Sequence, residues 1–211
     1  MFSNSSIGLV LLVTHILAAL TVGIVLGLIS RFSKKSNYNK FDYSVKSDVS
    51  NSSAKLCTFS NLGEILSNAI LESSKTIIMI GGFVVIFSVI ISIFNKSGII
   101  EIVSYALYPI LRLLNINTTF ASAILSGIIE LTNGVSIVSG IANKSISTNV
   151  IICAFLLGFG GISVMLQVLS ITSKSDLSIK KYIFGKVLQG IIAAGYVYIL
   201  LSMIPTLNFN F

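Results

Sequence analysis

The sequence predicts an all-α, polytopic helical membrane protein with interfacial helices, one re-entrant helical hairpin and one broken transmembrane helix. Three observations predict it. First, 54% of the 211 residues are hydrophobic and 10% are charged, with a mean hydropathy of +0.96. A soluble domain carries about 25% charged residues, and a soluble core of this size needs no such apolar excess. Second, several apolar runs match or exceed the ~20 residues that cross a bilayer. Third, two of those runs are interrupted near their centres by polar or glycine-rich stretches. A cytosolic enzyme, a disordered chain and a disulfide scaffold are excluded on composition.

Each element follows in order. Residues 7–30 are uncharged apart from His15 and form a first span. No Lys or Arg occurs in the first 30 residues, so the run lacks the basic head of a cleavable signal peptide and reads as a retained helix. Residues 31–60 hold Arg31, Lys34, Lys35, Lys40, Lys46 and Lys55 among many Ser and Asn, the composition of a basic cytoplasmic loop. In 61–75, Leu62, Ile65, Leu66, Ala69 and Ile70 share a face mostly opposite Asn61, Glu64, Asn68 and Glu72. That pattern predicts a helix lying in the membrane interface. Residues 76–94 are uncharged and predict a second span, with Gly81-Gly82 set for close approach of a neighbouring helix.

Residues 96–115 repeat Ser97, Glu101, Ser104, Tyr108, Arg112 and Asn115 every three or four positions and predict another interfacial helix, kinked by Pro109. Residues 118–143 are apolar but centre on Glu130-Leu131-Thr132-Asn133-Gly134. Residues 145–173 carry no charge at all and centre on Gly158-Phe159-Gly160-Gly161-Ile162-Ser163. Residues 178–204 form the last span, entered through Lys180, Lys181 and Lys186 and closed by Pro205. The expected organisation is a first transmembrane span (1–30), a basic cytoplasmic loop (31–60) and a membrane domain (61–211).

Charge placement selects among topologies. If every apolar segment crossed, eight Lys and Arg would lie inside and six outside. With 118–143 re-entrant the division is eleven to three, and with 145–173 re-entrant it is twelve to two. The positive-inside rule therefore asks for one re-entrant segment without choosing it. Either choice puts the N-terminus and the C-terminus outside and the 31–60 loop in the cytoplasm.

Chemistry-bearing side chains are few. Glu130 is an acidic residue inside an otherwise uncharged stretch, and such residues usually face a cavity or a partner. At a hairpin tip, the Asn133 amide and free backbone groups can hydrogen-bond a polar solute. Unwound backbone at Gly158–Gln167 is tolerated at membrane depth only where it is buried or lines a cavity, and broken helices aim their ends at central sites in many transporters. Gln167 shares a helical face with Ser163. The candidate substrate-binding residues are Glu130, Thr132, Asn133, Gly134, Ser136, Gly160, Gly161, Ser163 and Gln167. The bland alternatives are a Glu130 that only supports the fold and glycines that only let helices pack. His15 reads as a packed neutral side chain. The elbow G-x-S-x-G is absent around Ser163, no phosphate-loop Lys follows the glycines, and Cys57 and Cys153 lie in unlike settings. No catalytic residue, metal or cofactor is expected, and the net charge of +7 sits in short loops where it sets orientation rather than binding nucleic acid.

The runs LGEILSNAILESSKTIIMIGGFVVIFSVI (62–90), Glu130-Leu-Thr-Asn-Gly134, GFGGISVMLQVLS (158–170) and IKKYIFGKVLQGIIAA (179–194) resemble the YlbJ-type sporulation integral membrane proteins of the nucleoside-recognition, or Gate, group. The resemblance implies a role in endospore formation, in cortex and heat resistance. It implies that 118–143 is the re-entrant hairpin and 145–173 the unwound span. It also implies that the chain corresponds to a C-terminal half, with a second Gate-like half or further copies of the chain completing the site. Two functions follow as expectations: binding or transport of a small polar solute, or a non-transporting membrane scaffold that recruits partners for spore envelope assembly.

Overall fold

The computed structural model describes residues 5–34, 62–141, 146–172 and 178–203. Most of the basic loop 31–60, Cys57, Lys144, Lys174 and Pro205 lie outside the described residues. Helix α1 (Ser5–Lys34) contains the first predicted span. Helix α2 (Leu62–Lys96) follows and corrects two expectations. The amphipathic stretch 61–75 is not a separate element but the first part of one rod. Nothing in Glu72-Ser-Ser-Lys75-Thr76 breaks a helix, and Lys75 instead pairs with Glu72 at 2.8 Å along its surface. At 1.5 Å per residue, α2 is roughly 52 Å long, so it outruns a hydrocarbon core of about 30 Å. Nor do Gly81 and Gly82 receive a neighbouring helix; a Cβ on either would meet nothing within 4 Å.

The predicted kinked helix 96–115 is two short helices, α3 (Ile99–Ser104) and α4 (Tyr108–Leu113), joined by a 3-10 turn at Tyr105–Leu107. Pro109 stands in the first turn of α4, where its missing N–H costs nothing. A 3-10 turn (Thr118–Phe120), capped by the Asn117 side chain at 3.0 Å from the Thr119 amide, leads into α5 (Ala121–Ile129). Helix α6 (Leu131–Gly140) follows after one extended residue and packs back along α5. Helices α7 (Ile146–Phe159) and α8 (Gly161–Thr172) share α5 and α6 as neighbours, but α7 packs mainly against α9 (Ile179–Met203) and α1, whereas α8 packs against α2.

Among the described residues, four apolar segments are long enough to cross a membrane: 5–31, 62–96, 147–170 and 179–203. The α7–α8 segment is the centre of the bundle and is buried along most of its length, whereas α2 buries only Ile91. Val150, Cys153 and Leu156 of α7 meet Ile7 and Ala18 of α1, Phe120 and Ile124 beside and in α5, and Ala193 and Val197 of α9. Outward faces carry Leu9, Ile77, Ile78, Leu113 and Ile191, all exposed. Apolar side chains turned outward all round a small core are the mark of a protein whose solvent is lipid. The Thr21 and Tyr196 hydroxyls, 2.7 Å apart, add a polar tie between α1 and α9.

Candidate functional site

The first interruption is Glu130. Its backbone is extended (φ −141°, ψ 120°) between two helices. Its carboxylate turns onto the start of α6 and accepts from the Thr132 amide (3.0 Å), the Asn133 amide (2.8 Å) and the Thr132 hydroxyl (2.6 Å). An acidic residue suits this place because it satisfies orphan N–H groups and meets the positive end of the helix dipole. With 1% of its surface exposed, the carboxylate makes these three contacts away from bulk water. The Asn133 amide donates to Ser88 Oγ at 3.1 Å and ties the tip to α2. The fold-back of α6 on α5 depends on Gly127 facing Gly134, since a Cβ on Gly134 would overlap the Gly127 backbone.

No side chain among the described residues caps the second interruption, where glycine precedes α8. Gly160 and Gly161 adopt φ of +86° and +78°, the left-handed region that glycine enters without strain. The Gly160 amide donates to the Leu156 carbonyl at 2.8 Å and ends α7; no other backbone hydrogen bond among the described residues crosses the break. Ser163, in the first turn of α8, is fully buried and its hydroxyl has no partner. Gln167, one turn on, is also buried.

The two interruptions touch. A Cβ on Gly161 would stand 3.1 Å from the Gly127 carbonyl oxygen and 3.2 Å from the Leu131 nitrogen. The amide-rich start of α8 therefore abuts the carbonyl end of α5, while Glu130 covers the start of α6. Of the sequence-predicted residues, Glu130, Gly134, Gly160, Gly161 and Ser163 lie buried in or next to this meeting of helix ends. Thr132 is exposed and spends its hydroxyl on Glu130. Ser136 is exposed further along α6, and no hydrogen bond links its side chain to the second break. Among the described residues, no group of three or more His, Cys, Asp or Glu is gathered as metal ligands.

Sequence reasoning missed three polar groups. Asn149, buried in α7, donates to the Val138 (2.8 Å) and Ile141 (2.9 Å) carbonyls and so closes the far end of α6. A lone amide in an apolar run was the available signal. Lys186, treated as an orientation charge, is half-buried beside Gly160 and donates to Gln189 Oε1 at 3.0 Å. Gln189 is itself buried. His15 was expected to be packed; it is partly buried, and its Nδ1 is enclosed without a partner. Close glycine packing does occur, but between α7 and α9, where Gly158 faces Gly190.

A family model described as nucleoside recognition, Gate, matches residues 77–175, the stretch from within α2 through both interruptions. The chain is 32% identical over 203 residues to the sporulation integral membrane protein YlbJ of Bacillus subtilis (strain 168), covering 94% of this chain and 50% of that protein. The chain thus spans about half the length of that curated relative. No solved structure matches it.

Proposed function

The chain belongs with the sporulation integral membrane proteins of the Gate family, and from that premise we propose that it binds a small polar solute where its two interruptions meet. The observation that carries this reading is the break at Gly160–Gly161 without a side-chain cap, with the unpartnered Ser163 hydroxyl in the turn that follows. Backbone and side-chain polar groups left without partners at membrane depth are expensive unless something polar reaches them. Gln167, on the same face of α8, and the Asn133 carboxamide, at the other tip, supply further donors and acceptors. Glu130 is assigned the supporting role: its carboxylate builds the tip that holds Asn133. The family's description as nucleoside recognition makes a nucleoside the first solute to try. No bond-making step is assigned to the chain, and the reading is of a binding protein rather than an enzyme.

The test is binding of radiolabelled uridine and adenosine to the purified full chain in dodecyl maltoside. Gly161→Ala and Gln167→Leu should abolish saturable binding while the protein still elutes as a single folded species. Unchanged binding in both variants would sink the proposal. The alternative, a non-transporting scaffold for spore envelope assembly, is favoured by one observation: the Glu130 carboxylate is fully occupied within its own chain. It predicts that both variants still restore heat-resistant spores to a deletion strain.

A further inference from the structure

We infer that the solute is a small organic anion, docked by its carboxylate or phosphate on Lys186; this rests on the preceding reading that a solute occupies the meeting of the breaks. Lys186 is the eighth residue of α9, well inside an apolar helix that is long enough to span. A cation at such depth is costly and ordinarily faces a partner of opposite charge. Lys186 makes no ion pair among the described residues; its ammonium is oriented by neutral Gln189, whose side-chain oxygen lies 3.0 Å away. The carboxylate built into the same region, Glu130, is already used by Thr132 and Asn133.

The placement of Lys186 is specific to the break. Its Cε and Nζ lie 3.3 and 3.7 Å from where a Cβ on Gly160 would stand. Glycine at 160 thus has a second consequence besides its left-handed backbone: it leaves room for an ammonium to lie alongside the interruption. Just beyond the break comes the first turn of α8, whose amide end favours negative charge. Ser163, fully buried with a free hydroxyl, stands in that turn. A charge, a helix start and a buried hydroxyl are thereby gathered around one interruption, and together they suit an anion. The competing role for Lys186 is support of the carbonyl end of α7, which needs no ligand and gives no preference among solutes.

Uridine 5′-monophosphate and uridine discriminate these roles, because they differ only in the phosphate. Binding of each to the full chain in dodecyl maltoside, at fixed ionic strength, should favour the monophosphate by at least about tenfold, the scale of one charge-assisted hydrogen bond. Lys186→Arg should keep the preference and Lys186→Gln should abolish it. Equal affinities in the wild-type chain overturn the anion assignment, whether or not Lys186→Gln folds. If uridine binding is then still lost in Gly161→Ala, the solute site itself survives. If neither compound binds and inorganic phosphate gives no thermal shift, both readings fall. Repeating the measurement in phosphatidylcholine nanodiscs and in phosphatidylglycerol nanodiscs separates free solute from lipid. A preference that disappears only in the anionic lipid means that a headgroup occupies Lys186, and overturns the assignment to a solute.

Discussion

The two interrupted segments solve one problem by opposite means. Both must stop a helix where no water is at hand to take up the freed backbone groups. At Glu130 a side chain does the work: one carboxylate takes two amides and a hydroxyl, and the chain folds back with α6 along α5. At Gly160–Gly161 the backbone does it: two left-handed residues break the ladder, no side chain among the described residues caps the next turn, and α8 turns to α2 while keeping the α5 and α6 contacts that α7 also makes. The difference teaches that a charged residue in an apolar run need not be the reactive feature. The charge caps its break with a side chain, and the glycines leave theirs without one.

Substitutions can break this contrast or sharpen it. Gly134→Ala attacks the capped break at its tightest point, because the new Cβ overlaps the Gly127 backbone. It is expected to cost more than about 3 kcal/mol, seen as loss of folded protein on size-exclusion in detergent. Glu130→Gln keeps the shape but sets an NH2 group against donors. It is expected to cost about 2–3 kcal/mol and to lower the melting temperature, with the remaining folded fraction still binding solute. Asn149→Leu removes both bonds to the end of α6 and should cost about 2 kcal/mol in the same melt. Gly161→Ala adds a tight contact with the Gly127 and Leu131 backbone to the left-handed penalty, so it should cost about 2 kcal/mol in stability and remove binding. If Glu130→Gln instead abolished binding at full stability, the division between a structural and a ligand-facing break would be wrong. Thr21→Val, away from both breaks, loses the hydroxyl's bonds to Tyr196 and to the Leu17 carbonyl and should cost about 1 kcal/mol, with binding unchanged.

Much of the architecture was legible before any coordinates. Span positions follow from apolar run length alone, and the interruptions at Glu130 and Gly160–Gly161 follow from residue types that disfavour helix. The errors have local causes. The amphipathic face of 62–75 reads the same whether a helix lies in an interface or continues into a span, so periodicity had no way to show that α2 is one rod. Gly81-Gly82 carries the same signal as Gly158, yet only Gly158 meets a neighbour, Gly190. Small residues permit close packing without requiring it. Lys186 was discounted because Lys180 and Lys181 beside it are ordinary flanking charges; its different role depends on the residue across the gap, Gly160.

Residue chemistry alone therefore settled that this chain lives in a bilayer, where its helices run and where two of them must fail. Those outcomes depend on short-range costs: apolar area, helix propensity and unsatisfied backbone groups, each readable within one segment. Only the folded arrangement decided which break a side chain caps and which it does not, that the two abut through Gly161 and Gly127, and that a lysine of the last helix lies against one of them. Those last two facts are contacts between residues 26 (Gly160 and Lys186) and 34 (Gly127 and Gly161) positions apart in the chain. No local energy encodes them, because they arise when several helices compete for the same small volume at once.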